Sequence, residues 1–148
     1  MPEIHTEIRI QASPEAVWSV LCCDAQRMAD LNPQILRIRG QLREGSTIRL
    51  RVRFALGIVG GGKANVLRVD PPRLLQWRGG LPIPGLFFGD HSFEIFPEED
   101  GVRLVQREVY RGLLAPILLA TIMRGVEAGF RTCNERVKEL AEAMSEAP

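Results

Sequence analysis

The stretch Leu113 to Met144, LLAPILLATIMRGVEAGFRTCNERVKELAEAM, decides the fold. After its opening turn, Leu119, Ile122, Val126, Phe130, Cys133, Val137, Leu140 and Met144 recur at steps of three and four, the apolar stripe of one long amphipathic helix. Such a stripe requires an apolar surface to lie on. Beside it stand Thr121, Gly125, Ala128, Gly129 and Thr132, and a glycine inside a helix costs about 1 kcal/mol relative to alanine. Two explanations are open. Either a sheet backbone approaches closely at Gly125 and Gly129, or the helix is kept thin there so that a space stays open beneath it for a ligand.

The preceding residues supply the sheet. From Glu3 to Ile10 apolar and polar residues alternate, which predicts a half-buried strand. Ser13-Pro14-Glu15-Ala16 then combines an N-cap, a proline at the first helical position and an acidic first turn. A short helix carrying Val17, Trp18 and Leu21 follows, then a second from a cap at Asp24 to Leu31, stopped by Asn32-Pro33. From Gln34 the period is two. Leu36, Ile38 and Leu42 oppose Arg37 and Arg39, and after Glu44-Gly45 the residues Ile48, Leu50, Val52 and Phe54 oppose Arg49, Arg51 and Arg53. A glycine-rich link at Gly57 to Gly62 precedes two further hairpins, Lys63 to Arg78 around Pro71-Pro72 and Asp90 to Arg111 around Pro97 to Gly101. The loop Gly79 to Gly89 between them is rich in glycine and proline and carries Leu81, Ile83, Leu86 and Phe87. The expectation is an α+β fold of two layers, an antiparallel sheet of about seven strands with one face covered by the long helix.

With 148 residues, 45% of them hydrophobic and 25% charged, the chain has the size and balance of one domain spanning residues 1–148. A formal net charge of +1 argues against nucleic acid as a partner. Cys22, Cys23 and Cys133 are too few for a disulfide framework or a zinc site. There is no signal-peptide pattern and no run of roughly 18 apolar residues, so the expectation is a cytoplasmic protein without integral membrane association. Oligomeric state is open.

Gly57 to Lys63 fits the spacing of a phosphate-binding loop up to its last position, where Ala64 replaces the required Ser or Thr; a strand, not a helix, follows it. The arginines at 37, 39, 49, 51 and 53 are expected on a solvated outer face, partly paired with glutamates. The last hairpin is more informative. If residues whose numbers sum to about 199 face each other, His91 lies opposite Glu108, Phe93 opposite Gln106 and Ile95 opposite Leu104, all on the face beneath the helix with Tyr110. His91 and Glu108 are then either a catalytic acid/base pair or a hydrogen bond that holds two strands in register. Two histidines without ligand spacing indicate no metal, and no cofactor motif is present.

Ala12-Ser13-Pro14-Glu15-Ala16-Val17-Trp18, Asp24, Asn32-Pro33, Val69-Asp70-Pro71-Pro72-Arg73-Leu74 with Trp77, His91-Ser92-Phe93-Glu94 and Gln106 to Gly112 together resemble the polyketide cyclase/dehydrase and lipid transport superfamily, the START-like or SRPBCC group. The resemblance covers essentially the whole chain. It implies a helix-grip fold, in which a seven-stranded curved antiparallel sheet, with two short helices after strand 1, grips a long C-terminal helix over a hydrophobic cavity. Many relatives have tryptophan before Asn-Pro, where Leu31 stands here.

The leading functional expectation is a binding protein for an apolar, lipid-like or polyketide/aromatic small molecule. The expected cavity residues are Leu50, Val52, Phe54, Trp77, Leu86, Phe87, Phe93, Gln106, Tyr110, Thr121, Gly125 and Gly129. One alternative is a cyclase/dehydratase-type enzyme using His91 and Glu108; another is an interaction module of the chaperone-activator kind.

Overall fold

The computed structural model describes residues 2–121 and 123–146. In chain order the elements are β1 (Glu3–Ile10), α1 (Pro14–Cys22), α2 (Arg27–Leu31), β2 (Ile35–Arg39), β3 (Thr47–Arg53), β4 (Val59–Asp70), β5 (Leu74–Gly80), β6 (Phe88–Glu98), β7 (Gly101–Arg111), α3 (Ala115–Ala120) and α4 (Val126–Glu146). The seven strands form one antiparallel sheet in the order β1-β7-β6-β5-β4-β3-β2. Successive strands are neighbours except at β1, which closes against β7 after the intervening hairpins. The sheet curls into a half-barrel around the helices, which is the helix-grip arrangement.

Local chemistry explains the element boundaries. Ser13 Oγ accepts the Ala16 N–H at 3.1 Å, satisfying one of the free amides at the start of α1, with Pro14 in the first turn. Asp24 accepts the Gln26 N–H at 2.6 Å, but this turn precedes α2, whose first helical residue is Arg27, two later than a cap at Asp24 implies. The β6–β7 register pairs His91 with Glu108, Phe93 with Gln106 and Ile95 with Leu104, as the turn position predicts.

Three expectations from the sequence need correction. The first concerns the long helix, which is broken. α3 ends at Ala120, capped by Thr121, whose hydroxyl donates back to Ile117 O at 2.7 Å, and α4 begins at Val126 after a turn that passes through Gly125 at φ +91°. Only glycine adopts that backbone angle freely, so Gly125 is the residue that permits the break. The buried stripe of α4 is Val126, Phe130, Cys133, Val137 and Ala141, while Leu140 and Met144 are exposed. Ile122 lies outside the described residues.

The second correction concerns Gly57 to Gly62. Gly60, Gly61 and Gly62 are strand residues of β4, paired with Val52, Arg51 and Leu50. A Cβ at Gly61 would lie against the backbone carbonyl of Leu50, so glycine serves close strand approach there and not a flexible link. The loop between β5 and β6 correspondingly shrinks to residues 81–87, because Gly79 pairs with Gly89 and Gly80 with Phe88. The third is a register shift between Ile35 and Arg37 in β2: Leu36 is exposed and Ile35 takes the inner face. The arginines of β2 and β3 are exposed as expected, yet among the described residues none of the five is ion-paired, and Arg37 faces Arg51 while Arg39 faces Arg49.

α4 lies across β1 and α1, and it is tied to α2 by Arg136, which donates to the Asp30 and Leu31 carbonyls at 2.9 and 3.4 Å. In a continuous helix Gly125→Ala would stabilise the protein by about 1 kcal/mol. With Gly125 at positive φ the expected result is the reverse, a loss of about 1 to 2 kcal/mol in urea unfolding.

Candidate ligand cavity

Because α4 packs towards β1 and begins only at Val126, the inner face of β3, β4 and β5 is left partly uncovered. A cavity of about 410 Å³ occupies that space. Its walls are mainly apolar: Leu50 and Val52 of β3, Phe54 and Ile58 of the β3–β4 turn, Trp77 of β5, Phe87, and Leu118, Met123, Val126 and Phe130 from the helical side. Gly60, Gly62, Ala64 and Gly79 contribute to its floor, where the lack of large side chains at these four positions keeps volume free. The polar groups on the wall include His91, Glu108, Tyr110, Asn32 and Gln34.

Of the residues expected at the cavity, Leu50, Val52, Phe54, Trp77, Phe87 and Tyr110 line it together with His91 and Glu108. Phe93, Gln106, Leu86, Thr121, Gly125 and Gly129 do not. Phe93 is buried one layer deeper, tilted against Trp77 and His91 with ring centroids 5.9 and 4.9 Å apart. Leu86 serves through its backbone, accepting the Leu114 N–H at 3.0 Å. Thr121 is exposed at the end of α3.

Neither explanation offered for the glycines applies. Gly125 permits the helix break, and its carbonyl accepts Gln34 Nε2 at 2.6 Å. At Gly129 a Cβ would lie 2.6 Å from Gln34 Oε1 and 2.9 Å from Asn32 Oδ1, so the helix is thin there to admit two polar side chains. The cavity residues missed from the sequence lie chiefly in the glycine run and on the turn before α4. Period-two continuation from Val66 back through Ala64, Gly62 and Gly60 was the available signal for the former.

Behind the cavity wall a buried hydrogen-bonded chain fixes the histidine. Thr6 Oγ1 donates to the backbone oxygen of Gln106 at 2.9 Å and accepts Asn134 Nδ2 at 2.9 Å. Gln106 Nε2 donates to Asn134 Oδ1 at 2.7 Å and to Phe130 O at 3.2 Å. The two backbone carbonyls can only accept, so they set the direction of the whole chain and leave Gln106 Oε1 as the acceptor facing His91 Nε2 at 3.1 Å. His91 therefore carries its proton on Nε2 and turns the Nδ1 lone pair towards Glu108, whose Oε2 lies 3.8 Å away. That distance is too long for the direct His91–Glu108 hydrogen bond considered from the sequence.

The electrostatics favour neutral groups. Burial lowers the His91 pKa to about 4, despite the opposing hydrogen bond to Gln106. Burial likewise raises Glu108 to about 7, with nearby Asp90 acting in the same direction and the 2.6 Å hydrogen bond from Tyr110 OH opposing it. Tyr110 is itself buried, stacked on Phe87 at 5.8 Å, and its pKa is raised by burial and by Glu108. The wall thus presents a carboxylic acid that holds its proton up to about pH 7 and a stacked Trp77–His91 pair with centroids 4.7 Å apart. Among the described residues no three His, Cys, Asp or Glu side chains group closely enough to hold a metal ion. Cys22 and Cys133 have thiols pushed up to about 12, mainly by burial.

This arrangement, a curled sheet around a C-terminal helix with a largely apolar space between them, defines a helix-grip protein. Residues 1–142 match the model of the polyketide cyclase/dehydrase and lipid transport family, and the chain belongs to that family. Among solved structures it resembles the Zhui aromatase/cyclase from Streptomyces sp. R1128, with 20% identity and a TM-score of 0.75 over 99% of this chain and 96% of that one. A protein from Thermus thermophilus is similar at 18% identity and a TM-score of 0.74, covering 98% and 100% of the two chains. The di-domain ARO/CYC StfQ of the steffimycin biosynthetic pathway is similar at 12% identity and a TM-score of 0.75, over 98% of this chain and 52% of that chain. At these identities the likeness establishes the fold alone. A comparison with curated proteins gave no match.

The pKa directions give a sign for pH dependence. Glu108 is raised in the folded state, so its contribution to stability is full below pH 4.5 and is lost as pH rises through about 7. His91 is lowered, so its contribution is full above pH 6.5 and is lost as pH falls through about 4. Glu108→Gln removes the first and leaves the second. The difference in stability between Glu108→Gln and wild type should therefore rise by up to about 3 kcal/mol between pH 4.5 and 8, measured by urea unfolding at each pH.

Proposed function

We propose that this protein binds an apolar small molecule, lipid-like or polyketide/aromatic in character, in the cavity between β3–β5 and the helices. The observation that carries the reading is the cavity itself. About 410 Å³ falls within the range of sites that enclose a drug-sized ligand, and mostly apolar walls with a few convergent polar groups are the usual lining of such sites. The family and its aromatase/cyclase neighbours support the same class of ligand. Trp77 and Phe130 offer aromatic surface, and the protonated Glu108 supplies a hydrogen-bond donor at the polar end, suited to a ligand carbonyl or hydroxyl.

Gly62 provides the test. A Cβ there has open space, with only Gly80 O at 4.0 Å, and its strand partner Leu50 points inward. Gly62→Leu should fill the cavity and reduce the affinity for anilinonaphthalene sulfonate, followed by its own fluorescence and by quenching of tryptophan, at least about tenfold while leaving stability unchanged or higher. Undiminished saturable binding in this variant, or none in wild type, would overturn the reading.

A second reading is favoured by one observation: the Glu108 carboxyl and the His91 Nδ1 lone pair face each other at the cavity wall. With Glu108 raised to about 7, it is placed to give a proton to a bound carbonyl or leaving hydroxyl and to be reprotonated near neutral pH. If the protein is a cyclase/dehydratase-type catalyst, Glu108→Gln should lower kcat by about 100-fold or more with ligand affinity nearly intact. Equal turnover in both proteins would exclude that role.

A further inference from the structure

Exposed large apolar side chains concentrate around the cavity mouth. Leu56 and Ile58 occupy the β3–β4 turn, Leu81 and Ile83 the loop after β5, and Leu113 and Ile117 the approach to α3 and its first turns. The three segments are adjacent. Ile58, Leu81 and Leu118 line one cavity, and the amides of Leu113 and Leu114 bond to the carbonyls of Gly85 and Leu86 at 3.1 and 3.0 Å. Leu56 is 96% exposed at φ +61°, and Leu113 is 82% exposed. A leucine held in the left-handed region with its side chain in water is unfavourable twice over, in backbone conformation and in solvation.

The charge pattern is equally one-sided. The segments 54–62, 79–89 and 109–126 contain none of the chain's 18 aspartates and glutamates. Within or beside them stand the exposed cations Arg53, Lys63, Arg111 and Arg124; of the acids that flank the same segments, Asp90 is paired with Arg78, Glu127 with Arg131, and Glu108 lies in the cavity wall. An apolar patch of this kind rimmed by polar residues marks an interaction site. A second copy of the chain fits poorly, because a two-fold interface through this rim would bring more cations than carboxylates together from both sides. The apolar residues also project from three separate segments, as a set of tips suited to a broad surface.

We infer that the rim of the cavity mouth docks on a membrane surface bearing anionic lipid headgroups, with the apolar tips entering the interface and the cations meeting the headgroups. The inference rests on the cavity reading above, since docking would let a water-insoluble ligand pass directly between bilayer and cavity. Among the described residues no helix is long and apolar enough to cross a membrane, so the association is interfacial and reversible.

The test is co-sedimentation of the full chain with phosphatidylcholine vesicles and with mixed phosphatidylcholine/phosphatidylglycerol vesicles, using wild type and the double variant Leu56→Asp, Ile83→Asp. Both positions are exposed, and aspartate tolerates the left-handed conformation at position 56, so folding is retained. Wild type should sediment with the anionic vesicles, less with neutral ones and less in high salt, and the variant should lose at least about tenfold in partitioning. Absence of wild-type sedimentation with either vesicle, equal sedimentation of the variant, or a wild-type dimer in sedimentation velocity that the variant abolishes would each overturn the docking proposal. Saturable binding of anilinonaphthalene sulfonate, retained in both proteins, separates that result from failure of the cavity reading.

Discussion

The position of α4 depends on the buried chain of hydrogen bonds from Thr6 through Asn134 and Gln106 to His91. These four side chains come from β1, α4, β7 and β6, and all are removed from water. A polar group left unpaired in such a place costs about 1 to 3 kcal/mol, so a shift of α4 along or away from the sheet would leave several amides unsatisfied at once. Hydrophobic packing of Val126, Phe130, Cys133, Val137 and Ala141 gives the helix its attraction to the sheet. The polar chain gives it one position, on the β1–β7 side.

That position creates the cavity. With α4 fixed towards β1, and with α3 turned away at Gly125, the inner face of β3 to β5 is covered only at its margins. Glycines at 60, 62 and 79 and an alanine at 64 then keep the sheet side low. The same network sets the chemistry of the wall, because it fixes the proton of His91 on Nε2 and leaves Nδ1 directed at Glu108. Burial favours the neutral form of both groups, so at mildly acidic pH the His91 and Glu108 side chains are polar donors and acceptors without formal charge. A neutral lining of that kind is compatible with an apolar ligand, whereas an ionised carboxylate would impose a solvation penalty on it.

The two faces of the sheet follow different rules. On the outer face, Arg103 and Arg107 of β7 meet Glu7, Glu98, Glu3 and Glu94, and Arg78 of β5 meets Asp90 at 2.6 Å. The arginines of β2 and β3 stand opposite one another without such partners among the described residues. Like charges directly across a strand pair are unfavourable by a few tenths of a kcal/mol each.

Local sequence signals alone determined the seven strands and their order, the N-cap at Ser13 and the register that sets His91 opposite Glu108. These are local quantities: alternation, helical spacing, turn residues and hairpin arithmetic depend on near neighbours in the chain. The resemblance to the cyclase/lipid transport group carried the grip of sheet on helix. The tertiary structure decided what local patterns cannot carry. Gly125 and Gly129 looked alike inside an apolar stripe, yet one permits a helix break and the other admits Gln34 and Asn32 from a segment more than 90 residues away. Gly60 to Gly62 looked like a linker because glycine has no side chain to show a period, and only pairing with β3 made it a strand. Gln106 was expected at the cavity and instead lies behind it, since the partner that orients a buried amide is chosen by three-dimensional packing. The stretch whose spacing promises one helix holds two, and the cavity is left open beside the break between them.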